Sequence, residues 1–294
     1  MSKKTIFTGS GVAIVTPFDE NGVNFDALGT LIDDQITHGT DAIIICGTTG
    51  EASTMPDEEH LSVIEFAVAK TAGRIPVIAG AGSNDTAHGA ELCKKAARLG
   101  VDGMLLVTPY YNKASQKGLV RHYQLLASAA DVPVILYNVP GRTGVSIGIE
   151  TLQELSKVEQ IVAIKEASGN IDYTMRVAAL CPDLDIYSGN DDQIIPIMSL
   201  GGKGVISVLA NVMPQQTHDM CAKYLAGDVE GALRLQLDLW DLAKALFVEV
   251  NPIPVKTALN LMGKNAGLLR LPLCEMEEKN LAVLKASLQK HGLI

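Results

Sequence analysis

The sequence lacks a long apolar run, a CxxC pair, an HExxH and a GxxxxGK[ST], and it is short of positive charge. No stretch approaches the roughly 18 consecutive apolar residues of a membrane span, so no membrane partner is expected. Lys3 and Lys4 have no apolar region behind them, and the N-terminus is not read as a signal peptide. Lys and Arg number 24 against 33 Asp and Glu, and the net charge of −9 argues against nucleic acid or an anionic lipid surface. The five cysteines are odd in number and scattered, which fits reduced thiols in a cytoplasmic protein. The six histidines are dispersed, with none at i,i+4, so a metal-assisted reaction fits poorly and neither metal nor cofactor is expected. A phosphate loop is excluded at Gly201-Gly202-Lys203-Gly204, which has the wrong last residue and precedes a strand. No serine-nucleophile elbow is read.

What is present is a rhythm. Short apolar runs begin at Val12, Ala42, Val77, Gly103, Val134, Ile161, Leu184 and Gly204, between 20 and 35 residues apart. That spacing leaves room for one helix between successive strands, as βα repetition requires. Phe25, Leu28, Leu31, Ile32 and Ile36 share one helical face, opened by Asn24 and stopped by Gly39. Thr54-Met55-Pro56-Asp57 predicts a second helix with a capping hydroxyl, and Asp85 or Thr86 starts a third that Gly100 ends. Gly80-Ala81-Gly82-Ser83-Asn84-Asp85 begins like a dinucleotide fingerprint but has Asp85 where the third glycine belongs, and is read as a tight turn. The expected fold class is therefore α/β, a (β/α)8 TIM barrel over residues 1–226. Residues 227–294 form a helical region packed on the barrel, with segments predicted at Asp228–Val250, Val255–Met262 and Glu275–His291.

The ends of the predicted strands carry polar residues that a core does not need. Among them are Gly47-Thr48-Thr49-Gly50-Glu51, Pro109-Tyr110-Tyr111-Asn112, Tyr137-Asn138-Val139-Pro140-Gly141-Arg142-Thr143 and Ser188-Gly189-Asn190-Asp191-Asp192. In such barrels chemistry sits at that face. Of the seventeen lysines only Lys165 closes an apolar strand run; Lys203 enters a strand, and Lys256 lies in a helical segment beside polar residues. A lysine attacks a carbonyl only when neutral, and desolvation lowers its pKa toward that state. Two readings stand for Lys165: a Schiff-base nucleophile, or an ammonium reaching from a strand end to solvent. Tyr137 is either a proton carrier relayed through Thr48 or Tyr111, or a packing residue. Thr48-Thr49-Gly50 offers backbone N–H groups to a small carboxylate, or is an ordinary turn. Arg142 is a planar fork for a second carboxylate, or merely solvated. The Asp191-Asp192 pair reads as charge complementing a helix dipole.

Taken together, these motifs, with Ile164-Lys165-Glu166-Ala167-Ser168-Gly169 and Asn251-Pro252-Ile253-Pro254-Val255-Lys256, closely resemble the dihydrodipicolinate synthases. Those enzymes belong to the pyruvate-dependent aldolase family that includes N-acetylneuraminate lyase. The resemblance covers nearly the whole chain, in order. It implies a homotetramer, a dimer of dimers, that condenses pyruvate with L-aspartate 4-semialdehyde in diaminopimelate and lysine biosynthesis. It implies Lys165 as the Schiff-base lysine, Tyr137 as proton donor and acceptor, and Thr48 and Tyr111 as relay, with Tyr111 reaching in from an adjacent subunit. Thr49 and Ile206 would hold pyruvate, Arg142 the semialdehyde carboxylate, and Gly189 would line the pocket. Ala52, Ser53, Asp57, His60, Asn84, His88 and Tyr110 correspond to a lysine-effector site. Lysine-inhibited relatives place His and Glu where this chain has Asp57 and His88, so weak or absent lysine feedback is expected. A lyase acting on a sugar acid and a non-catalytic barrel are the rival readings, and Arg142 speaks against the first.

Overall fold

The computed structural model describes residues 3–294. Eight parallel strands close on themselves: β1 Gly9–Ala13, β2 Ala42–Ile45, β3 Val77–Gly80, β4 Gly103–Val107, β5 Val134–Asn138, β6 Ile161–Glu166, β7 Asp185–Ser188 and β8 Gly204–Ser207. The strands run in sequence order around the barrel, and β1 closes it by pairing Gly11 with Ala42 on one side and Gly9 with Gly204 on the other. Most strands start where the apolar runs do. β1 starts three residues before Val12, because its first half, Gly-Ser-Gly, carries no apolar signal. Those small residues are required by packing: a Cβ on Gly11 would lie 2.7 Å from Ile44 Cδ1 and 2.8 Å from the Phe7 ring. Phe7 plugs the barrel floor, stacked on Tyr187 at 4.4 Å and accepting the Tyr187 hydroxyl at its carbonyl, 2.6 Å away.

The helices of the outer ring are α1 Phe25–Thr37, α2 Asp57–Thr71, α3 Thr86–Arg98, α4 Gln116–Ser128, α5 Ile149–Leu155, α6 Ile171–Leu180, α7 Ile194–Met198 and α8 Pro214–Leu225. Asn24 and Asp85 cap α1 and α3 through their side-chain oxygens, satisfying N–H groups that have no partner within the helix. At α2 the expectation fails in detail: Pro56 occupies the cap position, and the Thr54 hydroxyl instead donates to Glu51 O at 3.0 Å. The glycines after β3 form no tight turn. They let strands approach, since a Cβ on Gly80 would lie 2.1 Å from Cys46 O and one on Gly82 2.6 Å from Val107 N.

After Leu225 the chain is helical, with α9 Val229–Asp238, α10 Trp240–Ala245, α11 Ile253–Leu261 and α12 Glu278–Lys290. The single segment predicted over Asp228–Val250 is broken at Leu239 and ends at Ala245. No glycine or proline marks the break; tertiary anchoring makes it. Gln236 is buried and bonds Asp191 O and Ile195 N, while Leu239, Leu242 and Leu246 turn into the core. Among the described residues no helix is long and apolar enough to cross a membrane. Gly80→Ala should cost about 1–3 kcal/mol, the usual penalty for forcing atoms into a packed interior, and thermal unfolding of the variant checks it.

Candidate active site at the barrel mouth

Alternation along the strands decides which residues face the barrel axis. On β6 that face carries Ala163 and Lys165, and on the paired strand Ile135 and Tyr137; Tyr137 and Lys165 are register partners. Lys165 is 5% exposed and its Nζ lies 4.3 Å from the Tyr137 ring centroid. Among the described residues no carboxylate pairs with that Nζ. Burial pulls its pKa down to about 7, reinforced by the Arg142 charge and opposed by that of Asp191. The Tyr137 phenol is pushed up by burial, while the Arg142 charge and the Thr48 hydroxyl draw it back. Gly189 makes room for the lysine stem, since a Cβ there would meet Ala167 Cβ at 2.6 Å and Lys165 Cε at 3.1 Å.

These groups line a cavity of about 130 Å³ with Thr48, Thr49, Arg142, Val208 and Asn251. At ~30 Å³ per water that is space for about four waters, which suits a very small organic acid. Asn251 Nδ2 donates to Thr49 Oγ1 at 2.9 Å, and Arg142 Nη2 donates to Asn251 O at 3.2 Å. A short helical turn, Pro140–Thr143, carries Arg142 to the rim. Ile206 does not line the cavity; it is packed one layer lower in the barrel's inner cluster. Tyr111 stands apart from the site of its own chain, 89% exposed on a loop where its φ is +71°.

A family model described as the dihydrodipicolinate synthetase family matches residues 6–291. The chain is 60% identical to the 4-hydroxy-tetrahydrodipicolinate synthase of Caldicellulosiruptor saccharolyticus, over 98% of both chains. Its fold matches the solved dihydrodipicolinate synthase of Aquifex aeolicus with a TM-score of 0.95 and 46% identity, covering 98% of this chain and 99% of the other. A structure described as a monomeric dihydrodipicolinate synthase variant matches at a TM-score of 0.96 and 42% identity, over 98% of both chains. The chain belongs to the dihydrodipicolinate synthetase family.

In this family member a second, larger cavity of about 620 Å³ adjoins the first and shares Thr48, Tyr137 and Arg142 with it. Ala52, Ser53, Asp57, His60, Asn84, His88 and Tyr110 all line it. His88 Nε2 bonds both Asp57 oxygens, at 2.9 and 3.1 Å, and its Nδ1 meets Ser83 Oγ at 3.1 Å. That bond from His88 holds the Asp57 carboxyl below its usual range. His60 is buried and donates from Nε2 to Gly80 O at 2.8 Å, and burial lowers its pKa.

Several residues around the site carried little signal in the sequence. Asp191 is buried and accepts from Ser207 Oγ at 2.5 Å and from the backbone N–H groups of Val208 and Leu209, whereas its neighbour Asp192 pairs with Lys244. The pair is therefore divided, one carboxylate tying β7 to β8 and the other on the surface. Glu166 points away from Lys165 and is held by Asn138 Nδ2 at 2.7 Å and Ser168 N at 2.6 Å, which fixes the end of β6. Lys256, read as lying in a helical segment beside polar residues, is 1% exposed and paired with Glu51 at 2.6 Å. Gly144-Val145-Ser146-Ile147-Gly148 fits GxSxG in its letters but not in its place in the fold. It lies between the Pro140–Thr143 turn and α5 rather than at a strand-to-helix elbow, and Ser146 is exposed.

The pKa near 7 makes a kinetic prediction. Pyruvate-dependent trapping of Lys165 by cyanoborohydride should rise with pH, as the neutral amine fraction grows, and level off above a midpoint near 7. A midpoint near 10 would remove desolvation from the account.

Proposed function

We propose that this family member condenses pyruvate with L-aspartate 4-semialdehyde, the reaction of a 4-hydroxy-tetrahydrodipicolinate synthase, through a Schiff base on Lys165. The observation that carries this reading is a buried lysine amine, without a carboxylate partner among the described residues, facing a tyrosine ring at a cavity of small-acid size. The neutral amine adds to C2 of pyruvate, and loss of water leaves the imine. Removal of a C3 proton gives an enamine whose carbon attacks the aldehyde of the second substrate, and the resulting alkoxide takes a proton. The amino group of that substrate then displaces the lysine amine from C2 and closes the ring, so one water is released overall. Tyr137 carries the protons, with Thr48 as its neighbouring hydroxyl.

Thr49 and the backbone beside it seat the pyruvate carboxylate, Gly189 admits the lysine stem, and Ile206 supports the floor of the pocket. Arg142 receives the semialdehyde carboxylate at the rim, a planar fork meeting a planar acid. Tyr111, outward in its own chain, completes the relay of a neighbouring copy, which gives a physical reason for oligomerisation, and the homotetramer, a dimer of dimers, follows from the family resemblance. A cytoplasmic setting fits the five free thiols, four of them buried.

Lys165→Ala should abolish turnover and the pyruvate-dependent mass increase after reduction. Tyr137→Phe should keep the adduct yet slow turnover by roughly 10² to 10⁴, the range for a positioned acid–base group. Steady-state rates and mass spectrometry of the reduced peptide check both, and an active Lys165→Ala enzyme would end this reading.

At the larger cavity the only carboxylate among the proposed effector residues, Asp57, is already engaged by His88. An incoming ammonium would have to compete with that imidazole, so lysine feedback should be weak or absent. In a titration of the rate with L-lysine, half-inhibition at sub-millimolar concentration would contradict this.

A further inference from the structure

Lys256, on α11, donates its three ammonium protons to three different places. They go to Glu51 Oε1 at 2.6 Å, to Thr16 O at 2.9 Å and to Leu268 O, with the Phe18 ring 4.7 Å away. The other oxygen of Glu51 accepts from Arg270 N at 3.1 Å. One buried cation thus joins the chain just after β1, the turn after β2, helix α11 and the segment that follows it. All its donors are used, and Glu51 is fixed in the left-handed region at φ +55°.

The two partners flank the site. Glu51 comes two residues after Thr49, and the intervening Gly50 carbonyl accepts from Thr16 Oγ1 at 2.7 Å. Lys256 comes five residues after Asn251, the residue that bonds both Thr49 Oγ1 and the Arg142 guanidinium. Asn251 is buried, but among the described residues its Oδ1 has no partner, so its own side chain does not fully fix it. Its position is inherited from the main chain on either side. A buried ion pair is a poor device for stability alone, since apolar side chains of similar volume often serve as well or better. Its location accounts for it more directly.

We propose that Lys256 and Glu51 are positioning residues for the condensation, holding Thr49 and Arg142 in register through Asn251. The inference rests on the reading given under Proposed function.

The test is the double variant Glu51→Leu/Lys256→Met, which removes both charges and leaves neither one stranded. Its melting temperature should fall, because Thr16 O, Leu268 O and Arg270 N lose their partners, but the variant should stay folded at the assay temperature, and Lys165 should still be trapped at saturating pyruvate. Its kcat/KM for L-aspartate 4-semialdehyde should fall about tenfold or more, chiefly through KM, as expected when binding groups are misplaced away from the chemistry. A folded double variant with KM within twofold of the parent would overturn the proposal. If the double variant does not fold, Glu51→Gln keeps the volume and an acceptor for the ammonium. The buried ammonium then lacks its carboxylate, so this variant should melt lower and is assayed where it remains folded; its KM for the semialdehyde should rise about threefold or more, and an unchanged KM would overturn the proposal. A parent enzyme that does not turn over the two substrates at all would instead defeat the functional reading, and this inference with it.

Discussion

The chemistry of this molecule depends on keeping one amine out of water without giving it a counter-ion. A buried ammonium normally demands a carboxylate, and Lys256 has one: its charge is met by Glu51 and two carbonyls at a point between segments. Lys165 lies almost as deep and has no such partner among the described residues, so its cheaper state is the neutral one. The contrast between these two lysines is what the proposed roles of nucleophile and scaffold rest on. Both are buried, and only the pairing differs.

The barrel supplies the dryness. Closure leaves no sheet edge, fills the axis with Phe7, Tyr187 and the inward side chains of the strands, and leaves vacant only the layer at the strands' C-terminal ends. Parallel pairing then puts Tyr137 level with Lys165, and the absence of a side chain at Gly189 keeps the lysine stem in place. Around this axis the site is assembled from separate loops: the turn after β2, the helical turn after β5 and the chain before α11. Nothing local holds such loops together. The buried contacts of Asn251, Asp191, Glu166 and the Lys256–Glu51 pair do so from behind.

Much of this was legible from the chain. Apolar runs interrupted by polar strand ends are a direct consequence of strands buried on both faces with chemistry at one end. Lys165 could be found because a charge at the end of such a run is out of place. Other features were silent for physical reasons. Gly9-Ser10-Gly11 is a strand whose inward side chains must be small, so it has no hydrophobic pattern. Leu239 breaks a helix because Gln236 and the leucines beyond it are anchored elsewhere in the fold. Lys256 gave no sign of being buried and paired because Glu51 is distant from it along the chain.

The sequence by itself determined the alternation of strands and helices, the polar face of the barrel, the lysine that does not belong in a strand and the family to which the motifs point. These are properties of local order, set by side-chain period and composition. Only the tertiary structure decided that Lys165 is unpaired among the described residues while Lys256 is paired, that Asp191 is buried while Asp192 is not, and that Tyr111 points away from its own site. Each of those depends on what lies across space from the residue, and desolvation and pairing are set by that distance rather than by neighbours along the chain.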